Sequence, residues 1–484
     1  MIISSITGPS MSVAINQMKA SKRFADLFEL RLDMIRRPDV GRLIENAGKQ
    51  VIVACRPGWE GGRFRGSESR RFKILESACM LEAGYVDVEL RSDPGILKQF
   101  LLHQTGTRVI VSCHLNDRTP RNVRALYHRM RNCGAGVVKL AYLAADASDI
   151  QYAVEFLRLA AADGQRAVAM AMGEAGEASR ILYRKFGSWA TYAAPETGPA
   201  SAPGQLRAST LRGLYRADRL TKSTQVFGVI GNPLGQSKGV DIHNPLFERA
   251  GADAVYCKFP VKNLAAFMRH VAGHLSGFSV TIPYKQRIMQ FLHRTDARSS
   301  AIGAVNTVVR RNGKLEGMNT DAPAALDAIE NIVKVKNKII LILGAGGVAR
   351  AIAFEAKRRG ANVLVANRTE SRGRKLASHL GVRSIRLDSL FEIHYDIVAN
   401  ATPVGMVPNT GHSPLSKRFL RGKIVFDAVY NPPQTKLLLE AKRVGAKIVS
   451  GTAMYLNQAA RQSELYTGVR PGKRAMKLAL AKHR

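Results

Sequence analysis

Polar side chains end a series of short apolar segments in the first half of the chain. Each segment ends with an acidic residue, a basic residue or a histidine, at Glu29 and Arg31, Arg56, Glu89, His114 and Lys139. If these segments are parallel strands joined by helices, their carboxyl ends all face one side of the sheet. We therefore expect one site that combines carboxylates, guanidinium groups, an imidazole and a lysine amine.

The lysine suggests what such a site would do. Lys139 lies inside the apolar segment 137–141, so we expect apolar walls and nearby arginine charges to favour its free amine. A free amine attacks ketones to form an imine, which is an electron sink for an adjacent acidic C–H. His114 is the candidate to move that proton to a leaving hydroxyl, with Glu89 orienting the imidazole. Because guanidinium groups match a carboxylate, the residues favour imine-mediated dehydration of a keto-acid, for which no metal is needed.

The elements that must position these groups follow from the pattern of the first half. Apolar runs rich in β-branched residues alternate with longer amphipathic stretches, and the predicted strands are residues 2–6, 26–31, 51–55, 85–90, 109–113, 137–141, 167–171 and 190–193. Eight such strands joined by helices within ~220 residues predict a (β/α)8 barrel.

This half resembles type I 3-dehydroquinate dehydratase. The resemblance rests on an ordered set of motifs, Phe28-Glu29-Leu30-Arg31, Val88-Glu89, Ser112-Cys113-His114, Val138-Lys139-Leu140, Ser179-Arg180 and Ser201-Ala202-Pro203-Gly204-Gln205. It implies that Lys139 forms the Schiff base, that His114 is the general acid and base, and that Glu89 orients it. It also implies substrate contacts from Glu29, Arg31, Arg56, Arg180, Ser201 and Gln205. Residues 60–64 look like the loop that the family carries after its third strand.

A glycine-rich turn in the second half points to a dinucleotide. A predicted strand at 339–343 runs directly into Gly344-Ala345-Gly346-Gly347 and then into a helical pattern. Glycines there allow a tight turn and bring backbone N–H groups close to a pyrophosphate at the helix N-terminus. The next predicted strand ends at Asn367-Arg368-Thr369, with Arg372 one turn further on. Two guanidinium groups suit a 2′-phosphate, so we predict NADP rather than NAD.

Further motifs of this half resemble shikimate dehydrogenase. They are Gly231-Asn232-Pro233, Ser237-Lys238, Val280-Thr281-Ile282-Pro283-Tyr284-Lys285, Gly303-Ala304-Val305-Asn306-Thr307, Asn319-Thr320-Asp321, Asn400-Ala401-Thr402-Pro403-Val404-Gly405-Met406, Asp427-Ala428-Val429-Tyr430 and Gln458-Ala459-Ala460. The resemblance implies that Lys285 and Asp321 are a catalytic pair, with Lys285 handling the proton at the substrate oxygen while a hydride moves to carbon. It implies substrate contacts from Ser237, Thr281, Asn306, Tyr430 and Gln458. It implies cofactor contacts from Gly344, Ala345, Gly346, Gly347, Asn367, Arg368, Thr369, Arg372, Thr402 and Gly451.

One stretch departs from the pattern of that family. Where the family usually has His-Ser-x-Ser-Pro, this chain reads Gln236-Ser237-Lys238-Gly239-Val240. Gly239 removes the second hydroxyl, which normally contacts the substrate carboxylate, at an expected cost of about 1.5–3 kcal/mol in binding. Ser279 stands where many relatives have asparagine. The preference between shikimate and quinate therefore stays open.

Together these patterns predict an α/β chain in three parts. Residues 1–220 form the barrel, residues 225–322 with C-terminal helices at 453–484 form a substrate domain, and residues 323–452 form a Rossmann-type NADP domain. We expect a bifunctional enzyme, like the fusions of plants and chlamydiae, that dehydrates 3-dehydroquinate to 3-dehydroshikimate and reduces this product to shikimate with NADPH. A second half that oxidises quinate or shikimate is the alternative within enzymes.

The composition is that of an ordinary globular protein with an unusual charge. The chain has 484 residues, of which 46% are hydrophobic and 23% charged, so disorder and coiled coil are poor interpretations. Its 73 Lys and Arg exceed its 37 Asp and Glu, which gives +36 and favours anionic partners. Because the basic residues are scattered along the chain, a degenerate scaffold that binds nucleic acid is the less favoured alternative.

The location of the protein is also constrained by composition. Five cysteines without a C-x-x-C spacing favour a reducing compartment. A strand-like pattern from Ile2 onward leaves no room for a targeting peptide, and no apolar run reaches ~18 residues. We therefore expect a cytoplasmic monomer or dimer, without membrane contact, whose partners are small-molecule substrates.

Overall fold

The structure is a computed structural model, and it describes residues 1–103, 106–235 and 237–481. By compactness the chain divides into two units, the first containing Met1–Val226 and Asp253–His274, the second containing Phe227–Ala252 and Leu275–Arg484. Among the residues described, no helix combines the length and the apolar character needed to cross a bilayer.

The first unit is built on an eight-stranded parallel sheet. Its strands are β1 Ile2–Ile6, β2 Leu27–Arg31, β3 Val51–Ala54, β4 Tyr85–Glu89, β5 Arg108–Leu115, β6 Val137–Leu143, β7 Ala167–Met172 and β8 Thr191–Ala193. They are ordered β7-β6-β5-β4-β3-β2-β1-β8, and the Trp189 N–H donates to the Ala167 carbonyl at 2.8 Å, which joins the two ends of the sheet. The predicted barrel and its eight strands are confirmed.

Helices follow the strands of the barrel and cover its outside. They are α1 Met11–Ser21, α2 Val40–Ala47, α3 Glu68–Met80, α4 Pro94–His103, α5 Val123–Arg131, α6 Ile150–Ala162, α7 Glu177–Ile181 and α8 Ala208–Gly213. Capping side chains set several of their starts, since Ser10, Asp39, Ser67 and Asn122 each accept a backbone N–H of the first turn.

Alternation along each strand separates the core from the site. In β6, Val138, Leu140 and Tyr142 pack outward into the large core beneath the helices. Val137 and Ala141 instead join the core inside the barrel, and the period of two places Lys139 on that same inner side. The same alternation turns polar residues of β2, β4 and β5 inward.

A strand and a helix from further along the chain also belong to the first unit. They are β10 Ala254–Pro260 and α10 Leu264–His270. Asp146, in the loop after β6, accepts hydrogen bonds from the backbone N–H groups of Lys262 and of Asn263, the latter at 3.1 Å. The same carboxylate caps a short helical turn through the Ser148 N–H at 2.8 Å, so it fixes both segments together.

The second unit contains two sheets. The first has strands β9 Gln225–Gly231, β11 Gly277–Val280, β12 Arg294–Thr295, β13 Thr307–Arg311 and β14 Lys314–Met318, which lie side by side in the order β9-β11-β13-β14-β12. β11 is parallel to β9 and antiparallel to β13. Helices α9 Gly239–Arg249, α11 Ala297–Ile302 and α12 Asp321–Glu330 accompany it.

The second sheet of this unit is parallel throughout. Its strands are β15 Ile339–Leu343, β16 Asn362–Ala366, β17 Arg383–Ile385, β18 Ile397–Asn400, β19 Ile424–Asp427 and β20 Lys447–Val449, in the order β17-β16-β15-β18-β19-β20. This is the doubly wound order in which the strand sequence reverses between β15 and β18, where dinucleotides bind. The predicted Rossmann-type fold is confirmed.

Five more helices complete the second unit, α13 Gly347–Arg358, α14 Glu370–Leu380, α15 Lys436–Arg443, α16 Gly451–Thr467 and α17 Lys473–Ala481. α16 packs against α12, α9 and β13, and α17 packs against α9. The C-terminal helices therefore lie beside the elements that precede the Rossmann-type sheet.

Candidate active sites

Lys139 is the centre of a buried cluster inside the barrel, which we call the barrel site. Its Nζ lies 2.7 Å from Asp87 Oδ2 and 3.4 Å from Glu29 Oε1. The sequence led us to expect apolar walls and arginine charges around this amine. The nearest charged groups are carboxylates instead, because alternation in β2 and β4 turns Glu29 and Asp87 toward the same interior.

A chain of hydrogen bonds extends from Lys139 across the barrel site. Ser5 Oγ donates to Glu29 Oε2 at 2.6 Å, and Gln205 Nε2 donates to Ser5 Oγ at 3.3 Å. Ser201 donates to Gln205 Oε1 through both its backbone N–H and its hydroxyl. Burial alone would raise the pKa of Glu29, but the cations of Lys139, Arg56 and Arg31 outweigh it and lower the pKa to about 2. Glu29 is therefore a permanent carboxylate at neutral pH.

His114, on β5, is paired with Glu60 from the loop after β3. Glu60 Oε1 accepts the His114 backbone N–H at 2.6 Å and lies 3.4 Å from the imidazole Nδ1. Burial, with the charges of Arg56 and Lys139, holds the pKa of His114 well below its ordinary value, so the ring is neutral. Burial also raises the pKa of Glu60 to about 7, against the opposing hydrogen bond from His114. Near neutral pH the pair therefore combines a neutral imidazole with a carboxyl group that is close to its own midpoint of ionisation.

The predicted orienting role of Glu89 needs correction. Glu89 Oε2 accepts from Arg71 Nη1 at 2.6 Å, and its Oε1 lies 3.9 Å from Arg56 Nε. Arg71 is fully buried on α3 and also pairs with Glu68 at 2.9 Å, so Glu89 is one of two carboxylates that neutralise this buried charge. Glu89 therefore pairs with two arginines, and Glu60 is the carboxylate that lies beside His114.

Of the arginines predicted to bind substrate, Arg31 and Arg180 are buried and the Arg56 side chain is 11% exposed, and their partners differ. Arg31 makes a two-pronged ion pair with Asp33 at 2.9 and 2.8 Å. Arg180 donates to the Tyr192 carbonyl at 3.2 Å. Among the described residues, Arg56 Nε, Arg180 Nε and Glu60 Oε2 are buried without a hydrogen-bond partner. Such atoms are costly unless a bound polar group satisfies them, which marks this interior as a binding site.

Lys285 and Asp321 form the candidate site of the second unit, the Lys285 site. Lys285 Nζ donates to Asp321 Oδ2 at 2.6 Å, and both side chains are largely buried. Asp321 is the first residue of α12, where the helix dipole favours a negative charge. The lysine side chain also lies against the start of α13, since a Cβ on Gly347 would stand only 3.1 Å from Lys285 Cδ. The pair is therefore next to the dinucleotide turn.

The turn before Asp321 is fixed by Asn306 and Asn319. Asn306 Oδ1 accepts the Thr320 backbone N–H at 2.8 Å, and its Nδ2 donates to Thr320 Oγ1 at 2.9 Å. Asn319 Oδ1 accepts the Ala322 N–H at 3.0 Å. Asn306 was predicted to touch substrate, and in this structure its amide holds the backbone that carries the aspartate.

The other predicted substrate contacts of this half are less buried. Ser237, Thr281, Tyr430 and Gln458 are half-buried, and Ser237 Oγ accepts from the Gly239 N–H at 3.4 Å. Gln236 lies outside the described residues. Tyr430 stacks on Tyr455 with ring centroids 4.4 Å apart. The Ser279 hydroxyl is buried, donates to Gln462 Oε1 at 3.0 Å and lies 3.0 Å from the Tyr466 hydroxyl.

The glycine turn of 344–347 has the geometry that a pyrophosphate requires. Gly344 has φ +116°, a conformation that side chains rarely adopt, and a Cβ on Gly346 would meet no atom within 4 Å. Gly346 caps α13 without any side-chain hydrogen bond to the first turn, so the helix N–H groups have no side-chain acceptor there. Across the strand reversal, Thr402 Oγ1 donates to Asn400 Oδ1 at 2.6 Å, and Asn400 Nδ2 donates to Asp427 Oδ1 at 2.9 Å.

The predicted cofactor residues after β16 are exposed. Arg368, Thr369 and Arg372 are open to solvent, and Asn367 donates from Nδ2 to the Thr369 carbonyl at 2.7 Å. The ion pairs of α14 involve its Glu370 with other arginines. Gly451 is buried at the start of α16, where a Cβ would stand 2.4 Å from the Val429 carbonyl oxygen. A side chain at this position would therefore clash with the backbone.

Comparisons with known proteins match both halves. A family model described as type I 3-dehydroquinase matches residues 2–222. The shikimate dehydrogenase substrate binding domain matches residues 229–308, and shikimate / quinate 5-dehydrogenase matches residues 327–405. The chloroplastic bifunctional 3-dehydroquinate dehydratase/shikimate dehydrogenase of Arabidopsis thaliana is 35% identical over 96% of this chain and 82% of its own length. The shikimate dehydrogenase (NADP(+)) of Shouchella clausii is 37% identical over 54% of this chain and 99% of its own.

Solved structures resemble the second half. A shikimate dehydrogenase in complex with NADP+ has a TM-score of 0.51 and 38% identity, and covers 54% of this chain and 96% of its own. The Thermus thermophilus enzyme in complex with NADP(H) and shikimate has a TM-score of 0.50 and 33% identity, and covers 53% of this chain and 99% of its own.

A barrel with a buried lysine, followed by a doubly wound domain with a Lys–Asp pair at its glycine turn, defines an enzyme that is both a lyase and an oxidoreductase. The two halves match two enzymes, a dehydratase and a dehydrogenase, that act one after the other. The chain belongs to the family of bifunctional 3-dehydroquinate dehydratase/shikimate dehydrogenases.

Two residues of the barrel site escaped the sequence analysis. Glu60 was grouped with a loop rather than with the chemistry, although its position four residues after Arg56 and before Gly61-Gly62 was visible. Asp87 was not predicted, because the pattern used only the last residue of its strand. Since alternate residues of a strand share a face, Asp87 was available from the pattern that selected Glu89.

Proposed function

We propose that the barrel site dehydrates 3-dehydroquinate to 3-dehydroshikimate through an imine on Lys139, and that the Lys285 site reduces this product to shikimate with NADPH. The observation that carries the first step is the buried Lys139 amine between Asp87 and Glu29, with unpartnered polar atoms of Arg56, Arg180 and Glu60 around it. The membership of the chain in the bifunctional family supports both steps.

The dehydration has four steps that balance. The Lys139 amine adds to the substrate ketone, and water leaves as the imine forms. The neutral His114 ring removes a proton from the carbon next to the imine and becomes an imidazolium, and the electron pair moves toward nitrogen. The hydroxyl on the following carbon then leaves with a proton supplied by His114, as water. Hydrolysis of the imine consumes one water and returns the lysine, so the net reaction releases one water.

The neutral ring of His114 is suited to this proton transfer. Its hydrogen-bonded neighbour Glu60, with a pKa of about 7, is partly ionised near neutrality, and the ionised carboxylate can stabilise the imidazolium that forms when the ring takes a proton. Asp87 and Glu29 hold the Lys139 nitrogen and balance its charge. We assign the substrate carboxylate and hydroxyls to Arg31, Arg56, Arg180, Ser201 and Gln205.

In the second half, Lys285 supplies the proton that the substrate takes up. When bound, NADPH supplies a hydride to the substrate carbonyl carbon. Lys285 is placed to give a proton to the carbonyl oxygen, and Asp321 at 2.6 Å keeps the lysine oriented. We propose that Ser237, Thr281, Asn306, Tyr430 and Gln458 hold the substrate.

The residues around the glycine turn fit NADP. The open space at Gly346 and the uncapped start of α13 suit a pyrophosphate, and the exposed Arg368 and Arg372 suit a 2′-phosphate. We further assign cofactor contacts to Gly344, Ala345, Gly347, Asn367, Thr369, Thr402 and Gly451. Two of the similar solved structures are complexes with NADP+ or NADP(H), which supports the same choice.

Three finer proposals accompany this function. The domain boundaries remain 1–220, 225–322 with 453–484, and 323–452. Shikimate is the preferred acid of the second half, and comparison of turnover with quinate tests that preference, because the matched family covers both acids.

Small molecules rather than nucleic acid are the partners of a cytoplasmic monomer or dimer. Salt-sensitive RNA or DNA binding without either activity would contradict this.

The decisive experiment is borohydride reduction of the full chain with 3-dehydroquinate. We expect a covalent adduct on Lys139, found by peptide mass mapping, and none in Lys139→Met. That variant should keep the dehydrogenase turnover of the parent, and Lys285→Met should show the converse loss. An adduct elsewhere, or none, would refute the dehydratase mechanism.

A further inference from the structure

Tyr192 stands directly against the reacting nitrogen of the barrel site. It is the central residue of β8, and its side chain is almost fully buried. The Lys139 Nζ lies 4.0 Å from the centroid of its ring, a distance at which the ring face attracts a cation. The Tyr192 carbonyl also accepts a hydrogen bond from Arg180 Nη1. The residue therefore borders both the amine and one of the arginines assigned to substrate.

The hydroxyl of Tyr192 has no partner among the described residues although it is buried. Leaving a buried hydroxyl unsatisfied typically costs about 1–3 kcal/mol. Burial, with the Glu29 and Asp87 carboxylates nearby, raises the pKa of Tyr192 well above its ordinary value, so the hydroxyl keeps its proton and is a donor. Tyr192 belongs to the apolar cluster inside the barrel, and its ring also borders Lys139, a charged group that the mechanism uses.

We propose that the Tyr192 hydroxyl donates a hydrogen bond to an oxygen of the keto-acid held on Lys139. Because the ring packs against Nζ, the substrate carbon that bonds to this nitrogen must lie beside the ring. The hydroxyl is then anchored at a short, fixed separation from the newly formed carbon–nitrogen bond. The ring contributes separately, since the nitrogen is cationic both as ammonium and as iminium, and both forms are attracted to the same face. The inference rests on the proposed function of Lys139.

The test compares Tyr192→Phe with a matched variant in the full chain. Tyr192→Phe keeps the ring and removes only the hydroxyl, and Tyr183→Phe removes the hydroxyl of another buried tyrosine, which lies near Arg184, Asp26 and Asp218 instead of the barrel site. We expect Tyr192→Phe to raise the KM for 3-dehydroquinate about 3- to 10-fold, the loss of one neutral hydrogen bond. Its borohydride-trapped adduct on Lys139 at saturating substrate should equal that of the parent. Tyr183→Phe should keep the parental KM.

The outcomes separate the inference from the function on which it rests. Parental KM and kcat in Tyr192→Phe would overturn the inference while the adduct on Lys139 upheld the mechanism. An equal rise of KM in both variants would also overturn it, because the effect would then be a general consequence of losing a buried hydroxyl. A parent chain without an adduct would refute the proposed function, and the inference with it.

Discussion

At the scale of single residues, the carboxylates of the barrel site differ in the group that each one contacts. Glu29 and Asp87 face the lysine, Glu89 faces Arg71, and Glu60 lies beside the imidazole. Their ionisation follows from these partners. Burial leaves Glu60 poised near pH 7, whereas the surrounding cations keep Glu29 ionised throughout the physiological range.

This difference predicts the pH dependence of the dehydratase. As pH rises through about 7, Glu60 loses its proton and becomes a better acceptor for His114, so kcat/KM should rise through that region. Glu60→Gln should remove this limb and lower the plateau by about 10- to 100-fold. Steady-state measurements of kcat/KM between pH 5 and 9 test this prediction.

The exposed Glu174, in the loop after β7, supplies the control. Glu174→Gln removes a carboxylate from the same half of the chain and should leave the profile unchanged. A limb near pH 7 that survived in Glu60→Gln would assign that ionisation to another group.

At the scale of elements, the loop after β3 depends on a backbone approach that only glycine permits. The Gly58 N–H donates to the Phe64 carbonyl and the Phe64 N–H to the Arg56 carbonyl, which closes the loop on itself. A Cβ on Gly62 would stand 2.0 Å from the Arg56 carbonyl oxygen. The loop carries Glu60 inward, so its closure is what brings the carboxylate to His114.

Gly62→Ala should therefore open this loop and withdraw Glu60. We expect at least a tenfold loss of dehydratase kcat/KM, with the dehydrogenase turnover retained. Gly213→Ala is the matched control, because that glycine is exposed and a Cβ there meets no atom within 4 Å. Equal dehydratase rates in the two variants would show that the loop tolerates the change.

The same loop shows where sequence reasoning stops. Strand ends were predictable because β-branched apolar runs fix the strands, and the period of two fixes which side chains face inward. Glu89 ends such a strand and Glu60 follows another, yet which one meets His114 depends on a buried arginine from α3 and on a loop that folds back. Neither contact is local in sequence, so the pattern named the candidates without choosing between them.

At the scale of the whole molecule, the two compact units do not coincide with the two catalytic halves of the sequence. β10 and α10 follow the first strand of the dehydrogenase half, yet they belong to the unit of the barrel. Asp146 joins them to the loop after β6, and this loop follows the strand of Lys139.

Asp146→Ala removes one acceptor for three backbone N–H groups, those of Ser148, Lys262 and Asn263. We expect the free energy of unfolding to fall by about 2–4 kcal/mol, measured by urea denaturation. Asp117→Ala, at an exposed surface pair with Arg118, should change it by less than about 0.5 kcal/mol. Indistinguishable values for the two variants would mean that the contact adds nothing to stability.

The placement of β10 and α10 constrains how such a gene can change. Replacing the dehydrogenase half by that of a relative would also import a foreign strand and helix onto the barrel, opposite Asp146. A functional recombinant would need compensating changes in the loop after β6. The two catalytic parts must therefore be inherited together, although their separate chemistries would not require it.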